Sequence, residues 1–128
     1  MFKPSLDNVS YDCYEAGFGS DDVHFTSGPA NRFFFLLAEG AVVPAGFGAG
    51  SWANLSPSSL VCNGNTALTG IGRDAAGKIW YRALTVYMTS STNYAGARAA
   101  TLSAAMDLYG AGSQYNAVAA AWSAVGVN

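Results

Sequence analysis

The C-terminal part of the chain, from Ile71 onward, is a nearly continuous run of helix-forming sequence. Three segments have the spacing of apolar residues that a helix requires, and short turns rich in glycine, serine or asparagine separate them. The first segment places one set of residues on a common face: Ile79, Ala83, Val86 and Tyr87, with Trp80 and Leu84 adjoining. The alternation typical of strands is missing, so the sequence predicts a mainly α domain.

The other two segments indicate how these helices pack. The second opens with the capping-type residues "SSTN", closes at Gly110 and carries a small-residue face that permits close approach: Ala97, Ala100, Thr101, Ala104 and Leu108. The third begins at a cap-like Ser113 and ends at Gly126. Helices joined by such short turns are antiparallel neighbours, which predicts a small helical bundle.

An earlier helix is predicted to start near Thr26 or Ser27, either of which could cap it. Pro29 falls inside the first turn, where its missing N–H costs nothing. The buried stripe of this helix is expected to hold Phe34 and Leu37, with Phe33 as a further candidate, and Gly40 follows its end. Residues 40–69 predict a long surface excursion with a short helix near 56–61.

Composition excludes several classes of protein. The 128 residues suit one domain, and 51% hydrophobic with 11% charged residues argues for a packed core. The six basic residues are scattered, so we expect no nucleic-acid partner. No run approaches the roughly 20 apolar residues that span a bilayer, and the first residues lack a secretory signal. We therefore expect a single domain over residues 1–128, without membrane contact, that is either cytoplasmic or part of a longer exported protein.

The potential metal ligands and nucleophiles are few. A zinc site needs at least three protein ligands, and one histidine, two cysteines and no HExxH predict no metal site here. Nothing resembling a cysteine-protease signature surrounds Cys13, which argues against a catalytic pair with His24. The residues leave the state of Cys13 and Cys62 open between two free thiols and one disulfide. The stretch "GIGRDAAG" lacks the context of a dinucleotide loop and predicts a turn into a helix, with Asp74 in its first turn.

The single histidine, His24, follows Asp22 by two residues at a predicted helix start. From spacing alone, a surface histidine with an incidental aspartate is the favoured interpretation. The alternative is functional: a carboxylate that accepts a hydrogen bond from one ring nitrogen orients the imidazole and leaves the other N–H free to donate. Such a donor suits the stabilisation of a developing oxyanion.

Four stretches together resemble the C-terminal half of the thermolysin family of neutral zinc metallopeptidases: "DVHFTSGPANRFFFLLAEG", "GIGRDAAGKIWYRALTVYMTSSTNY", "ARAATLSAAMDLYGAGS" and "AVGVN". The resemblance implies an α-helical domain that forms one wall of a protease cleft. It also implies that the zinc ligands and a general-base glutamate lie in a preceding N-terminal half, with calcium as a further candidate cofactor there. Without that half, this chain is expected to hydrolyse nothing.

The resemblance assigns a role to the histidine. In the family, the histidine of the V-H-x-x-S-G motif, here His24, hydrogen-bonds the tetrahedral intermediate, and an aspartate orients it. Thermolysin itself has that aspartate five residues earlier, where this chain has Gly19. The pseudolysin/vibriolysin branch carries D-V-H, which favours Asp22, with Asp21 as an alternative.

The relatives implied by this resemblance are exported bacterial enzymes, which indicates a secreted protein and favours a Cys13–Cys62 disulfide. The expected partners are the N-terminal catalytic half, a propeptide and peptide or protein substrates. Self-association through an exposed apolar patch is also expected. Two rival hypotheses are a non-catalytic helical module that binds a peptide or protein, and an independent cytosolic helical protein with free thiols.

Overall fold

The regular secondary structure of the protein is helical. A computed structural model describes residues 1–128. The α-helices, in chain order, are α1 Val23–Thr26, α2 Gly28–Glu39, α3 Arg73–Arg82, α4 Tyr94–Tyr109 and α5 Ser113–Ala124. Short 3-10 helices lie at Pro4–Asp7, Phe18–Ser20 and Pro57–Leu60, and a π-helical segment spans Ala83–Tyr87. The mainly α prediction is confirmed, and the short helix expected near 56–61 is a 3-10 helix. None of the helices combines the length and apolar character needed to cross a bilayer.

Trp122 on α5 lies at the centre of the core and joins three helices. Its side chain is fully buried and stacks on Phe33 of α2, with ring centroids 3.8 Å apart and planes 12° apart. The indole N–H donates a hydrogen bond of 2.8 Å to Oγ1 of the buried Thr101 on α4. Ala100 and Ala104 flank Thr101 on the predicted small-residue face and are also buried. That face ends before Leu108, which is 41% exposed.

The second helix begins close to the predicted start, but by a different mechanism. Ser27 precedes α2 and makes no capping hydrogen bond through its side chain; the chain instead forms the short helix α1 one turn earlier. Pro29 lies in the first turn and Gly40, at φ 78°, follows the last residue, as predicted. Phe33 and Leu37 are buried, whereas Phe34 is only half-buried, because it faces a groove on the α2 surface.

The predicted apolar face of α3 is correct in its first half and wrong in its second. Ile79 and Ala83 are fully buried, but Val86 and Tyr87 are 54% and 40% exposed. The π-helical segment Ala83–Tyr87 has more residues per turn than an α-helix, so the side chains after Ala83 rotate away from the core. The Tyr87 hydroxyl donates to Asp107 on α4, which holds this end of the segment at the surface.

Of the caps predicted for α4 and α5, the first is confirmed and the second is wrong. Asn93 caps α4, since its side-chain oxygen accepts the Gly96 N–H at 2.9 Å. At the start of α5 the predicted cap Ser113 is the first helical residue, and no side-chain hydrogen bond caps this end. The turn predicted at "GIGRDAAG" is present: Gly72 precedes α3 at φ 84°, and Asp74 lies in the first turn.

Residues 40–69 are partly internal rather than a surface excursion throughout. Leu55, Leu60 and Val61 are buried in the core, and a disulfide joins Cys62 to Cys13, with the Cα atoms 6.1 Å apart. Cross-linking a loop of this length stabilises the fold by about 4 kcal/mol in the chain-entropy model. The disulfide therefore ties this segment to the N-terminal residues.

Arg32 on α2 reinforces that junction from inside. It is 1% exposed, and its guanidinium donates to the Ser59 carbonyl at 2.5 Å and to the Asp12 carbonyl at 3.3 Å. Burial lowers the pKa of the Arg32 guanidinium, and the Asp12 carboxylate opposes that effect. Arg32 thus connects α2 to both of the chain segments that the disulfide joins.

Gly28, at the start of α2, lets the N-terminal segment approach the helix closely. A Cβ at this position would lie 2.0 Å from the Tyr11 carbonyl oxygen and 3.0 Å from Pro4 Cβ. The Tyr11 N–H also donates to the Phe25 carbonyl at 3.2 Å, so this contact positions the turn before α2.

We predict that Gly28→Ala lowers the free energy of unfolding by about 1–3 kcal/mol, because backbone must move to admit the methyl group. Gly77→Ala is the matched control: Gly77 lies within α3 with no atom within 4 Å of its Cβ position. Alanine there should raise the free energy of unfolding by about 0.5–1 kcal/mol. Urea denaturation measures both, and a Gly28→Ala variant as stable as the parent chain would show that this contact is not tight.

Candidate functional site

The stretch Asp22–Val23–His24 folds into a compact turn in which one carboxylate oxygen holds the histidine twice. Asp22 caps α1, and its Oδ1 accepts the His24 backbone N–H at 2.9 Å. The same Oδ1 lies 2.6 Å from Nδ1 of the His24 ring. These two contacts fix the imidazole relative to the start of α1.

The pair lies on the open surface. The side chains of His24 and Asp22 are 83% and 56% exposed, and only Nδ1 of the ring contacts Asp22. When the proton lies on Nδ1, neutral imidazole presents an acceptor at Nε2, whereas imidazolium presents a donor there. In its imidazolium form, His24 can therefore offer an oriented Nε2–H to a group that approaches from solvent.

Asp21, the alternative partner, is held elsewhere. Its carboxylate accepts a hydrogen bond of 3.1 Å from the Tyr11 hydroxyl. That hydrogen bond is the main reason why the pKa of Tyr11 is raised. Of the two neighbouring aspartates, the structure brings Asp22 to His24 and Asp21 to the N-terminal segment. Tyr11 lies ten residues away, and no sequence motif points to it.

The other candidate chemistries find no support in the structure. Cys13 is bonded to Cys62, so it offers no thiolate for a pair with His24. No three residues among the histidine, cysteines, aspartates and glutamates come together in a group that could hold a metal ion. The side chains of this chain therefore do not fit a zinc ion.

The largest cavity lies away from the histidine. It has a volume of about 520 Å³ and is a groove along α2, lined by Phe34, Phe35 and Val42, with Arg73 and Glu39 also among its walls. The Arg73 Nε donates to Glu39 Oε1 at 2.5 Å. His24 is not among the lining residues of this groove.

The Asp22 carboxylate carries the clearest electrostatic signature of the turn. The hydrogen bond from the His24 backbone N–H lowers the pKa of Asp22 most, and the bond with the ring lowers it further. A carboxylate with a lowered pKa in the folded state stabilises the fold above its unfolded pKa, and this contribution is lost as the pH falls through the folded value. Both groups are exposed, so solvent screening keeps the contribution small.

We predict that Asp22 titrates below its ordinary value of 3.8 in the 128-residue chain, as followed by the ¹³C shift of its carboxyl group. The His24→Ala variant should keep part of this lowering, because the backbone N–H is the largest single cause and survives the substitution. The capping geometry would be contradicted if the pKa of Asp22 were not lowered in the parent chain. It would also be contradicted if that pKa returned fully to 3.8 in His24→Ala.

Comparison with known proteins agrees with the helical fold. The family described as "Thermolysin metallopeptidase, alpha-helical domain" matches residues 1–127. The transglutaminase-activating metalloprotease of Streptomyces mobaraensis is 48% identical over 128 residues, 99% of this chain and 16% of that protein. Thermolysin of Alicyclobacillus acidocaldarius subsp. acidocaldarius and bacillolysin of Bacillus caldolyticus are each 41% identical over 106 residues, 82% of this chain and 16% of theirs.

The chain thus spans about one sixth of the length of these relatives. The family match covers nearly every residue, and the resemblance inferred from the sequence motifs is confirmed. The protein belongs to the family of thermolysin metallopeptidase α-helical domains.

Proposed function

We propose that this chain is the C-terminal domain of a secreted bacterial metalloendopeptidase of the thermolysin type. Within it, His24 donates a hydrogen bond to the oxyanion that forms when a peptide carbonyl is attacked. The observation that carries the proposal is the oriented, exposed imidazole, with Nδ1 2.6 Å from Asp22 Oδ1. The family match and the names of the relatives support the reaction class.

The chemistry of the turn suits this role. Ionised Asp22 accepts a hydrogen bond from Nδ1–H and holds the ring in one orientation, and in the imidazolium form Nε2–H then points outward. A donor that is already oriented stabilises a developing negative charge without reorganisation during the reaction. His24 would therefore act on the tetrahedral species rather than on the bound peptide.

The remaining chemistry is assigned by this proposal to another part of a longer protein. Zinc-dependent peptidases use the metal to activate water and polarise the carbonyl. Because this chain offers no zinc-binding group, the zinc ligands, the general-base glutamate and any calcium sites would lie in an N-terminal half. That half, a propeptide and peptide substrates are the proposed partners, and the 128-residue chain alone remains predicted to be inactive.

We predict that His24→Ala in the full-length protein lowers kcat about 10²–10³-fold with little change in KM, as expected when one oxyanion donor is lost. Steady-state kinetics on a peptide substrate measures both constants.

Asp21→Ala and Asp22→Ala form a matched pair of controls, since only Asp22 contacts the ring. Asp22→Ala should reduce kcat clearly, and Asp21→Ala should reduce it less. A His24→Ala protein with nearly unchanged kcat would refute the catalytic role. Full-length protein without peptidase activity would instead favour the rival hypothesis of a non-catalytic binding module.

A further inference from the structure

The helical chain is interrupted directly after the residues that carry Asp22 and His24. Pro29 has no N–H to give to the Phe25 carbonyl, and the Ala30 N–H does not bond the Thr26 carbonyl, since Ser27 separates α1 from α2. The Phe25 and Thr26 carbonyls thus lack their helical donors. Carbonyls at a helix end bond to water or to donors from elsewhere in the chain.

Each of the two carbonyls receives its partner from a distant part of the chain. The Tyr11 N–H donates to the Phe25 carbonyl, and the Tyr94 hydroxyl donates to the Thr26 carbonyl at 2.5 Å. Burial raises the pKa of the Tyr94 phenol, and the backbone of Ala30 partly offsets that rise. The hydroxyl therefore occupies the place of the missing helical hydrogen bond.

Tyr94 is itself held rigidly by the core. It lies at the first position of α4, and its ring packs edge-on against Trp122 with centroids 6.0 Å apart. On another side the ring packs against Tyr14, with ring centroids 5.2 Å apart. The position of the hydroxyl is thus set by the packing of the bundle.

Two hydrogen bonds connect Thr26, the residue that Tyr94 contacts, to the turn that carries His24. The Thr26 N–H donates to the Asp22 carbonyl at 3.1 Å, and the Thr26 Oγ1 donates to the same carbonyl at 3.3 Å. Asp22 in turn holds both the backbone and the ring of His24. A movement at Thr26 would therefore change the direction of the imidazole.

We propose that Tyr94 is a positioning residue for the oxyanion donor: its hydroxyl completes the α1–α2 junction and thereby sets the orientation of the Asp22–His24 pair. The structural part of this inference concerns the chain alone, and its catalytic consequence rests on the proposed function. Tyr94→Phe is the appropriate variant, because it keeps the packed ring and removes only the hydroxyl.

The first test is amide hydrogen exchange in the 128-residue chain, with Tyr81→Phe as the matched control, because Tyr81 is 71% exposed. Loss of one hydrogen bond should make exchange at His24 and Thr26 roughly two- to tenfold faster in Tyr94→Phe, while Trp122 stays protected. The carboxyl of Asp22 should also titrate closer to its ordinary value. Unchanged exchange at His24, or an equal loss of protection at Trp122, would overturn the positioning role.

The second test is catalysis by the full-length protein. Tyr94→Phe should lower kcat roughly two- to tenfold with little change in KM, and it should have no further effect in a His24→Ala background. If His24→Ala is strongly impaired and Tyr94→Phe is not, the role of Tyr94 is refuted. If His24→Ala keeps its kcat, the proposed function fails, and the exchange result still decides whether Tyr94 holds the turn.

Discussion

The packing of Trp122 is the interaction on which the remainder of this fold depends. Its ring stacks on Phe33, its N–H is satisfied by Thr101, and the edge of Tyr94 rests against it, so α2, α4 and α5 meet at one side chain. An indole N–H without a partner in the core would cost about 1–3 kcal/mol, which makes Thr101 more than a small residue that permits close approach. Through Tyr94, the same cluster reaches the junction that precedes α2.

The histidine turn combines an exposed group with a rigid support. His24 is open to solvent, yet its ring is fixed by Asp22, and the backbone of that turn is held from the core. A hydrogen-bond donor on an open surface is weakened by water, and it becomes strong where a second surface excludes solvent. Under the proposed function, the turn would therefore need a second surface against it to act as a strong donor.

The sequence predicts those features that depend on local chemistry. Gly40 and Gly110 mark helix ends, and Asn93 caps α4, because turn and cap preferences act over a few residues. The Asp22–His24 contact is likewise local, which is why a three-residue motif points to it. Resemblance to a known family was still needed to favour it over an incidental aspartate.

The features that the sequence does not reveal depend on geometry between distant residues. Val86 and Tyr87 have the spacing of a buried face, but the π-helical segment changes the rotation of the chain and turns them outward. Tyr94 and Thr26 are 68 residues apart, and no pattern links a tyrosine at the start of one helix to a carbonyl at the end of another.

The position of the ring proton on His24 tests the proposed orientation at its source. The ¹⁵N shifts of Nδ1 and Nε2 in the 128-residue chain, recorded where the ring is neutral, report which nitrogen carries the proton. If Asp22 orients the ring, Nδ1 is protonated in the parent chain, and the Nε2-protonated form gains population in Asp22→Ala. A parent chain with the proton mainly on Nε2, and with the same shifts in Asp22→Ala, would show that Asp22 does not orient His24.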